Sequence, residues 1–304
     1  MVEIELKFQI SEARRTALLK ALDPKKSETI QLQAKYFDTP DRLLAQHGAA
    51  LRQRLEGTRW IQTLKAAGKS HLHRFEHNHN LGELESSPEL DLSIYQAIPE
   101  AQQILTQALG SDAAALKLTF ETDIQRTYRV IQFEDAEIEV CLDVGVVRAS
   151  GREQTIHEVE FELKSGSVQS LLAFSFEWVK KYQLWLDVRS KAEMGNLLAL
   201  EQTVSPARFE KEFVLSKKES AAHNLSLLIG QQMQHLLPNI AAISAGVAEQ
   251  SHIDQAQTAL EHLQLTLALF KDWNSNISDK WAMQLAAFKH QFDHLQHLQH
   301  MQST

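Results

Sequence analysis

The feature that most constrains the fold of this chain is a period-two alternation in which one face of each predicted strand carries charge. In the opening stretch MVEIELKFQI, Glu3, Glu5 and Lys7 alternate with three apolar residues. Successive side chains of a β-strand point to opposite faces, so the pattern predicts a strand with one charged and one apolar face. We expect the chain to open on this strand, with no targeting segment before it.

The same alternation recurs along the first 200 residues. It predicts eight strands, at 2–9, 32–38, 49–55, 59–66, 70–80, 123–133, 136–143 and 154–163. The sign of the charge differs between strands: Arg52 and Arg54 share a face of LRQRL, whereas three glutamates share a face of HEVEFEL. Like charges about 7 Å apart repel unless a cation lies between them. A closed antiparallel barrel with a charged lumen, its outer apolar face covered by helices, accounts for the whole set.

Helical periodicity separates these strands and then replaces them. It predicts helices at 11–22, 99–109, 167–183, 190–200, 219–237, 251–273 and 278–300, with turns at Pro238 and around 274–278. The predicted fold is therefore α+β: an antiparallel barrel with a charged lumen, followed by a small all-α domain. We expect domains at 1–202 and 218–304, joined by a linker at 203–217.

Composition narrows the classes of function. The net charge of −8, from 31 cationic and 39 anionic residues, disfavours a general nucleic-acid binder. Cys141 is the only cysteine, which excludes an intrachain disulfide and a CxxC zinc site. No apolar run approaches the roughly 18 residues of a membrane-spanning helix. We therefore expect a cytoplasmic protein with no membrane or nucleic-acid partner.

The predicted lumen combines two kinds of ligand. Clustered carboxylate oxygens suit a hard divalent cation such as Mg²⁺ or Mn²⁺. Converging arginine and lysine side chains suit an anion with many phosphate oxygens. A metal ion together with a polyphosphate satisfies both sets, and the sequence therefore predicts such a ligand.

These motifs, in this order, resemble those of the CYTH domain, or triphosphate tunnel metalloenzyme, family. The matching features are ExExK at 3–7, YFDTP at 36–40, LRQR at 51–54, TLK at 63–65, Arg74 with Glu76, Arg126, Glu139 with Asp143, ExExE at 158–162 and SK at 190–191. The resemblance implies a closed tunnel of eight antiparallel strands that acts on triphosphates with Mg²⁺ or Mn²⁺. It further implies hydrolysis of inorganic triphosphate to pyrophosphate and phosphate.

The resemblance also implies a role for each matching residue. The metal ligands would be Glu3, Glu5, Asp143, Glu158 and Glu160, with Glu76, Glu139 and Glu162 as further candidates. The substrate-binding residues would be Lys7, Arg52, Arg54, Lys65, Arg74, Arg126 and Lys191. Lys7 and Glu5 would be catalytic. The alternatives are a thiamine triphosphatase, a class IV-type adenylate cyclase, or a non-catalytic sensor of polyphosphate or nucleotides.

Residues 218–304 resemble a shortened CHAD domain that is poor in basic residues. We expect this helical piece to act as a scaffold or to form a homodimer, because three helices cover their apolar faces incompletely. His290, His294, His297 and His300 share one face of the last predicted helix. That face is read as solvated or as an interface rather than as a transition-metal site, and the histidines of 71–79 are read as the outer face of a strand.

Overall fold

The computed structural model describes residues 2–70, 73–110, 112–212, 215–272 and 275–303. The chain forms two compact units, residues 1–205 and 206–304. The first contains an antiparallel sheet with flanking helices, and the second is helical, which confirms the α+β class. Among the helices described, none is both long and apolar enough to cross a membrane.

The strands of the first unit follow the predicted alternation. They are β1 (Val2–Gln9), β2 (Glu28–Asp38), β3 (Ala49–Glu56), β4 (Arg59–Ser70), β5 (His73–Glu83), β6 (Lys117–Phe133), β7 (Ala136–Ala149), β8 (Arg152–Ser165) and β9 (Trp185–Leu186). The helices are α1 (Glu12–Ala21), α2 (Leu43–Gln46), α3 (Pro99–Leu109), α4 (Val168–Tyr182), α5 (Lys191–Ala199), α6 (Ala221–Ser244), α7 (Gln250–Leu269) and α8 (Ser275–Ser303). Short 3-10 turns occupy Ser93–Tyr95 and Asp112–Ala115.

All nine described strands belong to one sheet. Their order is β5-β4-β3-β2-β6-β7-β8-β1-β9, and β1 also pairs antiparallel with β5 through Val2–Ile4. The prediction of eight strands is wrong by one, because β9 contains only two residues and is too short to show a period. Strands β2, β6 and β7 also extend beyond their predicted ends, and their pairing continues there.

Two apolar clusters form on the face of the sheet that lies opposite the charged residues. In the first cluster, α1 and α4 pack on β7 and β8, with Leu18, Leu171 and Phe161 fully buried. In the second cluster, α2 and α3 cover β3 and β4 around Leu51, Leu64 and Tyr95. The expected cover of helices over the apolar face of the strands is therefore present in the described part of the first unit.

Helix α5 departs from that expectation, because it packs on the same face as the charged side chains. Met194 of α5 is buried against Tyr36, Phe120 and Ile156, and Tyr36 lies directly opposite Arg52 in the β2–β3 register. Gly195 permits the approach, since a Cβ there would clash with the Phe120 ring. The predicted helical cover of the apolar face thus does not extend to α5, whose amphipathic pattern does not tell which face of a sheet it covers.

The Asp38 of YFDTP has a structural role at the end of β2. Its Oδ1 accepts hydrogen bonds from the backbone N–H groups of Thr39 and Leu44, at 2.8 and 2.9 Å, and its Oδ2 accepts one from Ala45. These bonds satisfy the free amides at the start of the four-residue helix α2. The motif therefore includes a residue that fixes a turn, and the turn leads the chain from β2 into β3.

In the second unit, α6 packs on α7 and α7 packs on α8. Ala256 and Ala259 of α7 are fully buried beside Leu236 and Leu260, and Phe292 of α8 completes the cluster. The predicted turn at Pro238 is wrong, since α6 runs to Ser244 with Pro238 inside it. An internal proline costs a helix about 3 kcal/mol, but apolar residues on both sides of Pro238 pack into the same core and offset that cost.

Part of the predicted linker is bound to α6. The Asn239 side chain exchanges two hydrogen bonds with the backbone of Arg208, at 3.0 and 2.9 Å. Asn224 does the same with the backbone of Ser216, at 2.9 Å for both bonds. Two positions within 203–217 are therefore held by side-chain amides of the helical unit, although the boundaries of the domains stay a prediction.

Candidate active site

The charged residues fall on two walls that the strand order keeps apart. The acidic strands β7, β8 and β1 are neighbours, and the cationic strands β3 and β4 are neighbours elsewhere in the sheet. Directly opposite residues of an antiparallel pair share a face, and the register sets Glu158 against Asp143 and Glu160 against Lys7. The alternation of each strand thus places the charged side chains of both walls on the same face of the sheet.

Three carboxylates converge on the acidic wall. Asp143 and Glu158 are completely buried and Glu160 is mostly buried. One oxygen from each lies within 4.8 Å of the others, a spacing that could hold a metal ion. Buried like charges at this distance repel strongly, so the cluster requires cations beside it.

Two cations provide that charge in the structure. Arg126 donates from Nε and Nη2 to the two oxygens of Asp143, at 2.7 Å each, and from Nη2 to Glu160 Oε2 at 2.5 Å. Lys191 Nζ lies 2.7 Å from Asp143 Oδ2 and 2.9 Å from Glu160 Oε1, and it also donates to Glu158 Oε1. Both cations were expected to bind phosphate, and the structure places them on the carboxylates.

The pKa values of the cluster follow from burial and from these pairs. Burial raises the pKa of Glu158 above its ordinary value, because it outweighs the attraction of Lys191 and Lys7. Burial acts in the same direction on Glu160, but Lys191 and Arg126 hold its pKa well below the ordinary value. The same cations lower the pKa of Asp143 against the effect of burial.

Lys7 is buried in this face with an incomplete set of partners. It is 7% exposed, and its Nζ has no hydrogen-bond partner among the described residues. Glu158 Oε2 lies 3.6 Å away, which is an ion pair without a hydrogen bond. A buried ammonium that lacks hydrogen-bond acceptors is costly, and Lys7 is therefore poised for an additional anionic group.

The cationic wall holds a second set of pairs. Lys65 Nζ lies 2.6 Å from Glu76 Oε2, and Arg52 Nη2 lies 4.0 Å from Glu76 Oε1. Arg54 donates from Nε and Nη2 to the same oxygen, Oε1 of Glu56. Burial, with the nearby Arg52, lowers the pKa of Arg54 to about 10. Glu76, a further metal candidate, thus neutralises cations here, and among the described residues it lies outside the carboxylate cluster.

Tyr36 is a site residue to which the sequence analysis gives no role. Its ring stacks on Phe120 with centroids 4.3 Å apart, and its hydroxyl accepts a hydrogen bond of 3.4 Å from Arg52. Burial works to raise the pKa of Tyr36, but Arg52, Lys191 and Arg54 outweigh it and lower the pKa. The sequence signal that could have identified Tyr36 was its position in YFDTP. Tyr36 lies two residues after Ala34, on the same face of β2, and opposite β3, the strand that carries the arginines.

Other metal candidates lie further along the same face. Glu139 and Glu162 are directly opposite each other in the β7–β8 register, and Lys164 Nζ lies 2.9 Å from Glu162 Oε1 and 4.0 Å from Glu139 Oε1. Glu5 is half-buried and opposite Glu162. Within the described part of the chain, none of the three joins the cluster of Asp143, Glu158 and Glu160.

Some of the predicted site residues have side chains that are not part of the described structure. The backbones of Glu3 and Arg74 are paired in the β1–β5 register, but their side chains are not among those described. The side chains of His294, His297 and His300 of α8 are likewise not among those described, and His71 lies outside the described residues. Cys141 is buried on the charged face, where burial raises the pKa of its thiol.

The donors of the acidic wall fit a hard divalent cation. They are all carboxylate oxygens, the ligands that Mg²⁺ and Mn²⁺ prefer, and the buried ammonium of Lys7 beside them is suited to an anion carried by the metal. Asp143, Glu158 and Glu160 could hold the ion, while Lys7 and the cationic wall could hold its counter-anion.

Comparisons with known proteins agree with this geometry. The CYTH domain model matches residues 1–195. A curated relative, the inorganic triphosphatase of Haemophilus influenzae, is 33% identical over an aligned length of 227 residues, and the match covers 72% of this chain and 62% of the relative. The chain thus spans less than two thirds of that protein.

Solved structures with similar folds were also found. A Bacillus halodurans protein, an adenylate cyclase candidate by its description, is 22% identical and covers 63% of this chain and 96% of its own, with a TM-score of 0.46. A Hippeastrum protein described as having a dominant triphosphatase activity is 17% identical and covers 66% and 97%, with a TM-score of 0.47. Because the CYTH domain model matches residues 1–195, well over half of the chain, the chain belongs to the CYTH domain family.

Proposed function

We propose that this chain hydrolyses inorganic triphosphate to pyrophosphate and phosphate in a reaction that depends on Mg²⁺ or Mn²⁺. The observation that carries the proposal is the buried Lys7 ammonium, which lies beside three converged carboxylates and has no hydrogen-bond partner among the described residues. The resemblance to a named inorganic triphosphatase supports the choice of substrate.

We further propose that strands β1 to β8 enclose the site as a tunnel. The pairing of β1 with β5 supports this, because these strands are at or next to the two ends of the sheet order. An enclosed site excludes water and strengthens each charge interaction within it. Helix α5, which packs on the charged face, would close one end of the tunnel.

The proposed roles follow from position. Asp143, Glu158 and Glu160 hold the metal ion, which when bound would neutralise phosphate oxygens and orient the chain of phosphates. Arg52, Arg54 and Lys65 bind the phosphates from the opposite wall. From the β1–β5 junction, Glu3 would help to hold the metal ion and Arg74 would help to bind the phosphates. Residues 1–202 form the catalytic domain, and the CHAD-like residues 218–304 supply a scaffold or a homodimer contact.

In this hydrolysis the protein has little covalent chemistry to perform. A water oxygen forms a bond to the terminal phosphorus while the bond to the bridging oxygen breaks, and pyrophosphate leaves with that oxygen. Glu5 orients the water and accepts its proton. Lys7 donates to the oxygen on which negative charge develops, which is the kind of interaction that stabilises a transition state more than the substrate.

The test compares phosphate release from inorganic triphosphate, ATP, thiamine triphosphate and long polyphosphate, each with Mg²⁺ and with Mn²⁺. We expect the highest kcat/KM on inorganic triphosphate and no release without a divalent cation. Equal or higher rates on ATP or thiamine triphosphate, or cyclic AMP formed from ATP, would overturn the assignment. Binding without turnover would indicate the sensor instead.

A pair of lysine variants tests the assignment of residues. Lys7→Met should lower kcat/KM by about 100-fold or more, since loss of one buried charged donor to a transition state has effects of this size. Lys35→Met is the matched control, because Lys35 lies next to Tyr36 in β2 and therefore on the opposite face of the sheet. Unchanged hydrolysis in Lys7→Met under saturating Mg²⁺ would remove the basis of the mechanism.

A further inference from the structure

We propose that the Lys191 ammonium and the divalent cation exchange for one another at the carboxylate cluster, and that Lys191 then moves to the phosphates. This inference rests on the proposed function and deepens it. It makes metal binding and triphosphate binding two parts of one event, because the displaced ammonium needs the anion that the metal brings.

The position of Lys191 is the first support. Its Nζ contacts all three carboxylates that could hold a metal, with Asp143 Oδ2 at 2.7 Å and Glu160 Oε1 at 2.9 Å. A monovalent ammonium and a divalent ion compete for the same oxygens, and both cannot sit among them without strong repulsion. Occupancy by one therefore requires departure of the other.

The charge count is the second support. Asp143, Glu158 and Glu160 carry three negative charges, and Lys7, Arg126 and Lys191 supply three positive charges in direct ion pairs. The cluster is thus neutral with Lys191 in place. A divalent ion that replaced Lys191 alone would leave one excess positive charge at the buried cluster and a displaced ammonium without a counter-charge, whereas an ion that arrives with triphosphate brings neutralising charge for both.

The third support is that Lys191 can move while its backbone stays fixed. Lys191 is the first residue of α5, which Ser190 caps by accepting a hydrogen bond of 3.0 Å from Glu193 N. Just before it, Arg189 pairs with the buried Asp187, whose N–H donates to the Lys7 carbonyl at 3.0 Å. The helix start is therefore anchored to β1, and only the flexible four-carbon stem of the lysine needs to swing.

Arg126 is unsuited to the same exchange. Its guanidinium binds both oxygens of Asp143 in a planar, two-pronged pair and also reaches Glu160. Such a pair is rigid and directional, while an ammonium is a point charge with rotatable donors. Lys7 Nζ pairs with Glu158 at 3.6 Å but has no hydrogen-bond partner among the described residues, so it is a second buried donor that an incoming anion would satisfy.

The experiment measures Mn²⁺ binding by electron paramagnetic resonance of free Mn²⁺, with and without a non-hydrolysable imido analogue of triphosphate. For the full wild-type chain we expect weak binding of Mn²⁺ alone and much tighter binding with the analogue. Lys191→Met removes the competing charge at similar volume, so Mn²⁺ alone should bind at least ~10-fold more tightly. The gain from the analogue should shrink correspondingly, since Lys191 no longer contacts it.

Lys164→Met is the matched control. Lys164 also pairs with carboxylates on β8 and β7, Glu162 and Glu139, but it lies outside the three-carboxylate cluster. Its Mn²⁺ affinity should equal that of the wild type. If Lys191→Met does not fold, as shown by circular dichroism, Lys191→Arg decides: a two-pronged guanidinium should be harder to displace and should weaken the binding of Mn²⁺ alone.

The outcomes separate the two proposals. If the wild type hydrolyses triphosphate but Lys191→Met binds Mn²⁺ no more tightly, or Lys191→Arg binds it more tightly than the wild type, the exchange is wrong and the function stands. If the wild type binds neither Mn²⁺ nor the analogue and releases no phosphate, the proposed function itself fails.

Discussion

At the scale of single residues, the site is built from charges whose partners are set by strand register. The sequence predicts that Arg126 and Asp143 line the same lumen, but their two-pronged pairing depends on their being directly opposite in β6 and β7. A one-residue shift in that register would place them on opposite faces. The alternation of residues along a strand therefore predicts which side chains share a face of the sheet. It does not predict which of them form ion pairs.

The buried pair at Arg126 leads to a stability prediction. Arg126→Ala leaves the fully buried Asp143 without its two-pronged donor, and breaking such a pair from one side typically costs about 3–5 kcal/mol. We expect the free energy of unfolding, measured by urea titration without added metal, to fall by an amount of this order.

Arg148→Ala is the control for this prediction. Arg148 also pairs with two carboxylates of the sheet, Asp123 and Glu153, but is half-exposed, so its removal should change the free energy of unfolding little. Equal losses in the two variants would contradict the view that the buried pair holds the cluster together.

At the scale of elements, the hydrophobic period of a segment predicts whether it forms a strand or a helix. It predicts less well where that element packs. The longer strands and α1, α3 and α4 are recognisable because alternation or helical period persists over many residues. Trp185–Leu186 is invisible to such a pattern, and α6 continues through Pro238 because tertiary packing outweighs a local cost. Helix α5 is predicted as a helix, yet its place on the charged face depends on Gly195 fitting against Phe120.

That contact gives a prediction about α5. Gly195→Ala places a methyl group against the Phe120 ring, and overpacking of this kind costs about 1–3 kcal/mol. Since α5 begins at Lys191, we also expect the coupling between Mn²⁺ and the triphosphate analogue to weaken. Thermal unfolding and Mn²⁺ titration measure the two effects.

Gly230→Ala provides the comparison within another helix. Gly230 lies inside α6, where an added Cβ meets nothing within 4 Å, and alanine favours a helix over glycine by about 0.5–1 kcal/mol. This variant should be slightly more stable than the wild type. A Gly195→Ala protein as stable as the wild type would show that α5 can shift without strain.

At the scale of the whole molecule, the candidate residues all fall within the first compact unit, residues 1–205. A fragment of residues 1–205 should therefore retain the metal requirement and the kcat/KM of the full chain on inorganic triphosphate. Steady-state phosphate release by both proteins, after each is shown to be folded by circular dichroism, makes the comparison. A large loss of kcat/KM in a folded fragment would assign residues 206–304 a direct part in the reaction.

The pairing of β1 also has a consequence for how the chain folds during synthesis. Only Val2–Ile4 can pair with β5, whereas Glu5–Gln9 must wait for β8, about 150 residues later along the chain. At about 5–20 residues per second the ribosome needs roughly 10–30 s to supply that strand. During this delay the alternating carboxylates and lysine of β1 discourage pairing with strands of other chains. The same charges that form the site would thus act as a safeguard against aggregation, and the site would be the last part of the first unit to assemble.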